Sequence, residues 1–256
     1  MASTGRDDNL ALGNPSGAVA SLTSPSNYLL VKDQYTLSYN RDQGKPNWVS
    51  WHLSSAWLGS AARQDDFRTD ADLPSGWYQV KPTDYSGSGF DRGHNCPSAD
   101  RTGSVTDNSA TFLMSNMMPQ APNNNQQTWA NLEDYARALV DAGNELYIIC
   151  GSYGRGGTGS DGYQTTLAGG KVTVPARCWK VLMVLPVGSN DVARITRRTR
   201  VIAVDMPNNN SLSSSWGSYR TSVDKIEAAT GLDLLSVLST GLQSSLEAKT
   251  DSGPTN

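Results

Sequence analysis

The strongest periodic signal in the sequence is an apolar stripe that recurs at helical spacing between residues 127 and 142. Its members are Trp129, Leu132, Ala136, Leu139 and Val140. Residues three and four apart lie on one face of an α-helix, so the stripe predicts an amphipathic helix. Gly143 follows the stripe and is a residue type that commonly ends a helix. Such a helix needs a core supplied by the rest of the chain.

Most of the remaining apolar residues lie in β-rich segments. Residues 28–39 and 48–53 flank a polar insert and predict a β-hairpin. Further strands are predicted at residues 145–150, 171–174, 177–185 and 200–206, and further helices at 222–229 and 241–249. Together these segments predict an α+β fold in which a central antiparallel β-sheet is flanked by helices.

The chain of 256 residues has no internal repeat and no linker that would divide it, so one domain over residues 1–256 is predicted. Residues 1–26 are polar and predict an arm that lies over the surface or is partly disordered, with regular structure from Tyr28. Residues 250–256 are predicted to form a frayed tail. The first residues lack the apolar core of a signal peptide, which is typical of a mature chain behind a supplied methionine or of a cytosolic protein.

Composition limits the possible partners. No run of about 18 apolar residues occurs, so no membrane span is predicted. The net charge of -3 argues against a protein that coats nucleic acid non-specifically, but it is compatible with a local basic cleft. Cys96, Cys150 and Cys178 allow one disulfide in any of three pairings, and their spacing fits no zinc site.

The segment from Gly89 to Ser98 carries the clearest catalytic signal. If it runs as a strand, Arg92 and His94 lie on one face and Asp91 on the other. An imidazole that can accept a proton from water, beside a guanidinium that can bind phosphate oxygens, suits attack on a phosphodiester. The alternative is a hydrogen-bonded histidine at a strand end beside a surface arginine.

Other polar features are more typical of structural or surface roles. His52 lies in a predicted strand without any surrounding ligand pattern, so a structural histidine is predicted. The glycines of residues 154–159 match a dinucleotide fingerprint, but no helix pattern follows them and the match is rejected. Four arginines form a basic cluster that fits a solvated loop better than a phosphate-binding patch: Arg194, Arg197, Arg198 and Arg200.

Glu133 and Arg137 lie four residues apart on the edge of the helical stripe, within reach of each other. At this spacing an exposed pair is ordinarily a solvated ion pair. The rest of the sequence gives these two residues a second interpretation.

Several motifs taken together resemble the DNA/RNA non-specific endonuclease family, the ββα-metal nucleases, and its secreted cyanobacterial branch in particular. The motifs are residues 90–94 (FDRGH), 97–101 (PSADR), 116–120 (NMMPQ), Asn125, Trp129, residues 132–134 (LED) and Arg137, with 12–17 (LGNPSG), 63–65 (RQD), 172–175 (VTVP) and 200–204 (RVIAV) elsewhere. The resemblance covers nearly the whole chain. It implies a sugar-non-specific endonuclease that cleaves single- and double-stranded DNA and RNA and leaves 5′-phosphate ends.

The resemblance also implies roles for individual residues. His94 would be the general base, and Asn125 would hold Mg²⁺, or Mn²⁺ in its place, directly. Glu133 would orient a metal-bound water, and the three arginines Arg63, Arg92 and Arg137 would contact phosphate. Asp91 would support the site. A secreted or periplasmic location is implied as well, whereas the oligomeric state is left open.

Two alternatives remain at this point. The chain departs from the family pattern at Asn95 and Cys96, and the proximity of Cys96 to His94 raises a thiol–imidazole hydrolase. A non-catalytic nucleic-acid-binding module with the same fold is the second alternative, although it would be free to lose residues that are all present here.

Overall fold

The computed structural model describes residues 6–256, so the first five residues of the predicted arm lie outside it. The strands are β1 (Tyr28–Val31), β2 (Thr36–Asn40), β3 (Lys45–Leu53), β4 (Asp91–His94), β5 (Met117–Gln120), β6 (Asn144–Tyr153), β7 (Gly157–Gly159), β8 (Gly162–Gln164), β9 (Thr166–Leu167), β10 (Val172–Thr173), β11 (Arg177–Pro186), β12 (Arg200–Pro207) and β13 (Arg220–Thr221). The helices are α1 (Val105–Ala110), α2 (Ala130–Asp141), α3 (Asp191–Arg194), α4 (Val223–Thr230) and α5 (Thr240–Glu247).

Seven strands form one antiparallel sheet in the order β1-β2-β3-β6-β11-β12-β13. Its centre is the pairing of β6 with β11, which runs from Asn144 opposite Pro186 to Tyr153 opposite Arg177. Both strands are apolar and buried along most of their length, because each face of the sheet is covered.

Side chains of the central strands alternate between two cores. In β6, Ile148 and Cys150 belong to the core that packs α2, whereas Tyr147 and Ile149 belong to the core that packs α4 and α5. The sheet therefore lies between α2 on one face and the two C-terminal helices on the other. The predicted α+β fold with a central antiparallel sheet is confirmed.

The edge of the sheet differs from the predicted hairpin. Residues 28–39 form two strands rather than one, because the chain turns at residues 32–35, where Lys32 N–H donates to the Tyr35 carbonyl. The first three strands are therefore a meander. The strand predicted at residues 171–174 is reduced to the two residues of β10.

Both ends of the described chain are bound to the body of the molecule. In the predicted arm, Leu12 and Ala18 are buried in the core beside α4 and α5, and the first strand begins at Tyr28 as expected. The predicted frayed tail is held by Asp251, whose carboxylate lies 2.8 Å from Arg200 Nε and 3.3 Å from Arg220 Nη1. This ion-paired carboxylate, whose side chain is 6% exposed, attaches the start of the tail to the sheet.

A separate ββα unit lies beside this sheet. β4 pairs antiparallel with β5, with Asp91 opposite Gln120 and His94 opposite Met117. The chain then turns into a helix at Pro122, five residues before the predicted start. Proline is well tolerated in the first turn of a helix, so the Pro- and Asn-rich segment predicted as a loop is partly helical. Asn124–Trp129 is a π-helical turn that continues directly into α2.

Candidate active site

A cavity of about 290 Å³ opens where β4 meets the π-helical turn. Ten residues line it: Arg63, Asp65, Phe67, Pro82, Tyr85, Ser86, Phe90, Asp91, Arg92 and Asn125. Four of the predicted site residues, Arg63, Asp91, Arg92 and Asn125, therefore line one cavity, although they come from three separate parts of the sequence; His94 is not among the lining residues. π-helical turns are rare and are frequent at functional sites, which agrees with the position of Asn125.

Two phenylalanine rings organise the basic side chains of this cavity. The Arg92 guanidinium lies 4.1 Å from the centre of the Phe67 ring, and that of Arg63 lies 4.9 Å from the centre of the Phe112 ring. The two rings meet edge to face at 4.9 Å. Arg63 Nη1 also donates to Ser98 Oγ at 2.9 Å. These contacts orient both guanidinium groups at the cavity, where Arg63 Nε also pairs with Asp65 at 2.6 Å.

His94 packs against the same two rings. Its imidazole lies edge to face with Phe112 at 4.9 Å and with Phe67 at 5.6 Å. The side chain is nearly buried, and its Nε2 atom has no hydrogen-bond partner. Burial, followed by the charges of Arg63 and Arg92, lowers the pKa of His94 to about 3. The ring is therefore neutral at neutral pH, the state that can accept a proton.

Asp91 connects β4 to the π-helical turn. Its Oδ2 atom accepts hydrogen bonds from Asn125 Nδ2 and Gln126 Nε2, both at 2.8 Å. Because the Asn125 amide nitrogen is used in this bond, its oxygen is left as the acceptor available to a ligand. Neutral and anionic oxygens are the donors that Mg²⁺ prefers, so Asn125 and its surroundings fit a hydrated divalent ion.

Glu133 lies outside the lining of this cavity and is largely buried. Its Oε1 atom pairs with Lys180 Nζ of β11 at 3.1 Å. Burial is the main reason that the pKa of Glu133 is raised, whereas the charge of Lys180 opposes that change. Lys180 also lies 4.2 Å from the Trp129 ring, so the sheet is joined to α2 by an ion pair and to the π-helical turn before it by a cation–π contact.

Arg137 does not form the predicted pair with Glu133. Its Nη1 atom pairs with Asp100 Oδ1 at 2.8 Å and its Nη2 atom pairs with Asp134. Asp100 is buried and also accepts a 3.0 Å hydrogen bond from Trp51 Nε1. A fixed carboxylate attracts the guanidinium more strongly than Glu133, which Lys180 already neutralises. Arg137, like Glu133, is absent from the described residues that line the cavity.

The three cysteines are free thiols, so the allowed disulfide is not formed. All three are fully buried, and burial raises the pKa of Cys96 to about 12. A buried thiol with that pKa is not a thiolate at neutral pH. This environment argues against the thiol–imidazole hydrolase.

His52 lies in a second polar cluster, on the sheet. One ligand atom from each of Asp7, His52, Glu145 and Asp191 falls within 4.8 Å of the others, a set that could hold a metal ion. The ring is already bound, because Nε2 lies 3.1 Å from Glu145 Oε2 and Nδ1 accepts from the Asp7 N–H at 3.2 Å. This arrangement agrees with the predicted structural role of His52.

The basic cluster of four arginines is divided. Arg194 pairs with Glu145 at 2.8 Å and with Asp191, and Arg200 pairs with Asp251. Arg197 and Arg198 are exposed, in agreement with a solvated loop.

Sequence reasoning assigned no role to five residues that hold the site together: Phe67, Phe112, Asp100, Trp51 and Lys180. The only signal for Phe67 was an aromatic ring within a polar segment, and the signal for Lys180 was a charge within an apolar strand pattern.

The chain is similar to known nucleases along most of its length. A model of the DNA/RNA non-specific endonuclease family matches residues 12–241. The chain belongs to this family. A nuclease from Nostoc sp. is 53% identical over 243 residues, which cover 95% of this chain and 86% of the relative. A nuclease from Serratia marcescens is 30% identical, with coverage of 94% and 85%.

The fold is shared with more distant members. A solved structure of EndoG in complex with EndoGI superposes with a TM-score of 0.72 at 22% sequence identity, over 90% of this chain and 91% of the other. The ββα unit beside an antiparallel sheet is thus the fold of the family, and the relatives indicate that this chain is a nuclease acting on nucleic acid. Among residues 6–256, no helix combines the length and the apolar character needed to span a membrane.

Proposed function

We propose that this protein is a metal-dependent endonuclease that hydrolyses phosphodiester bonds of DNA and RNA, single- or double-stranded, and leaves 5′-phosphate ends. The observation that carries the proposal is the Asp91–Asn125 hydrogen bond, which occupies the Asn125 amide nitrogen and leaves the amide oxygen as the acceptor in a cavity that Arg63 and Arg92 also line. A hard oxygen donor beside two guanidinium groups suits a phosphate bound together with a divalent cation.

Asn125 would hold Mg²⁺ or Mn²⁺ directly, and Glu133 would orient a water molecule bound to that ion. The ion would supply Lewis-acid polarisation of the phosphodiester and stabilise the charge of the departing oxygen. A single protein ligand suffices because Mg²⁺ keeps several of its waters.

Arg63 and Arg92 would bind the phosphate oxygens and stabilise the negative charge that grows as the phosphorus is attacked. His94 would accept the proton of the attacking water. In the free protein the two arginines lower the pKa of His94, but a bound phosphate neutralises their charge. Substrate binding would therefore raise the basicity of the imidazole at the stage where a base is needed.

Arg137 would also contact phosphate, and its ion pairs with Asp100 and Asp134 would fix the orientation of its guanidinium group. Arg137 lies outside the cavity lining, so it would contact the substrate only where the substrate passes beside α2. Contacts to phosphate carry no base information, and they support low sequence preference and tolerance of both sugars.

A secreted or periplasmic location is proposed from family membership alone.

A plasmid-nicking assay with Mg²⁺ tests the proposal. Wild-type protein is expected to convert supercoiled DNA to open-circular and linear forms, and excess EDTA to stop the reaction. His94→Ala is expected to lower the rate by at least about 100-fold, since general-base catalysis contributes about that much. Arg198→Ala, which removes an exposed arginine outside the cavity, is the matched control and should cleave normally.

Two outcomes would count against the enzyme. Full cleavage in EDTA would exclude the metal-dependent mechanism. Retarded but uncut plasmid, with folded wild-type protein and Mg²⁺, would instead support the non-catalytic binding module.

A further inference from the structure

Two carboxylate clusters lie outside the proposed nuclease cavity, and they differ in how their charge is balanced. The cluster around His52 contains its own cation, because Arg194 pairs with both Glu145 and Asp191. Tyr147 also donates to Asp191 at 2.5 Å. These bonds satisfy the carboxylates of Glu145 and Asp191 without an ion.

The second cluster has no such internal balance. It consists of Asp224 and Glu227, which are one turn apart on α4, and Glu247, the last residue of α5. One carboxylate oxygen from each residue lies within 4.8 Å of the other two. Glu247 is only 7% exposed, and its Oε1 atom is buried without a hydrogen-bond partner.

An unpartnered carboxylate oxygen in this position is costly. Burial of a charged group without a compensating partner is unfavourable, and the C-terminal end of a helix adds a further repulsion for negative charge. Burial, followed by the negative charges of Glu227, Asp224 and Asp233, raises the pKa of Glu247 to about 7. All three are carboxylates, so the cluster lacks a positive charge of the kind that Arg194 provides in the first cluster.

We propose that Asp224, Glu227 and Glu247 form a binding site for a hard divalent cation, Ca²⁺, which joins α4 to α5. Ca²⁺ binds oxygen ligands at about 2.4 Å, so any two of its ligands lie no more than about 4.8 Å apart, a condition that one oxygen from each of these three carboxylates meets. Asp224 is exposed and Glu227 half-buried, which leaves an open side for water ligands. Ca²⁺ accepts such a flexible set more readily than Mg²⁺, which demands near-octahedral geometry.

The ion would act on stability rather than on cleavage. Val223 and Ile226 of α4 and Leu246 of α5 pack in the same core against the sheet. A cation between the two helices would hold α5 on that core and remove the repulsion between the carboxylates. The site is separate from Asn125, because none of its three residues lines the nuclease cavity.

Thermal unfolding and calorimetric titration with CaCl₂ test this site. The background is the full-length Asn125→Ala protein, which lacks the proposed nuclease ligand. One Ca²⁺ is expected to bind, and at about 100 times Kd the Tm is expected to rise by about 5 °C. Glu247→Gln in that background should abolish the rise and increase the Tm of the metal-free protein, since it removes one of the repelling charges.

Asp141→Asn, which removes an exposed carboxylate at the end of α2, is the matched control and should leave Ca²⁺ binding unchanged. Asp224→Asn removes an exposed ligand and provides a second test if Glu247→Gln folds poorly. The proposal is overturned if Ca²⁺ does not change the Tm of Asn125→Ala, or if the change persists in both cluster variants. Since these readouts do not measure cleavage, they are independent of the nuclease proposal.

Discussion

At the residue scale, the carboxylate of Asp91 determines how the side chain of Asn125 is oriented. It lies in the cavity wall, yet its Oδ2 atom is occupied by the side-chain amides of Asn125 and Gln126. It therefore acts by orientation: the bond determines which end of the Asn125 amide is available. Residues that orient a metal ligand commonly affect activity almost as strongly as the ligand.

Asp91→Asn is expected to lower nuclease activity by about 10- to 100-fold, because an amide cannot accept as strongly and allows Asn125 to turn its nitrogen outward. The Mg²⁺ concentration for half-maximal cleavage should rise, which a loss of stability alone would not cause. Asp161→Asn, at an exposed position, is the control. An unchanged Mg²⁺ requirement would contradict the orienting role.

At the element scale, α2 is attached to the sheet through a buried polar contact as well as an apolar stripe. Lys180 of β11 is 1% exposed, pairs with Glu133 and lies over the Trp129 ring. The charge of Lys180 is tolerated in the middle of an apolar strand because Glu133, on the helix that packs against this strand, pairs with it. The same contact determines where Glu133 lies relative to the proposed site.

Lys180→Met is expected to lower the free energy of unfolding by about 3 kcal/mol, since it leaves Glu133 buried without its cation. Urea unfolding measures this loss. Arg177→Met provides a control in the same strand, because the Arg177–Asp205 pair is partly exposed and is worth less than about 1 kcal/mol. Adding Glu133→Gln to Lys180→Met should restore part of the stability; no restoration would show that packing, not charge, caused the loss.

At the scale of the whole molecule, two buried neutral histidines link stability to pH. The pKa of His52 is lowered to about 4 and that of His94 to about 3, in both cases mainly by burial. Between these values and the unfolded pKa of about 6.5, the unfolded chain binds protons that the folded chain does not. Stability therefore falls as the pH decreases through this window.

We expect wild-type stability to depend on pH between about 6.5 and 4 more steeply than that of His52→Gln. The difference should approach about 1.4 kcal/mol per pH unit, the contribution of one proton. Glutamine cannot titrate but can still hydrogen-bond Glu145. Urea unfolding at several pH values measures both slopes, and parallel slopes would show that His52 is not the group responsible.

The sequence by itself determined the helix at α2, the β-rich segments and the set of residues now found around one cavity. Of the predicted site residues, four line that cavity, whereas His94, Glu133 and Arg137 are not among its lining residues. The helix, the strands and the motifs depend on local periodicity and on runs of a few residues, which a linear chain displays directly. The Gly143 stop also followed, because glycine adopts the positive φ of 90° found there without steric cost.

Only the tertiary structure decided which charges meet. Arg137 pairs with Asp100 at a separation of 37 residues rather than with Glu133 four residues away, and Glu133 pairs with Lys180 at a separation of 47 residues. Such choices depend on burial and on the packing of α2 against β11, neither of which has a local signal. Whether the cysteines pair and whether the tail is bound also depend on tertiary structure, because the fold determines which side chains lie within bonding distance.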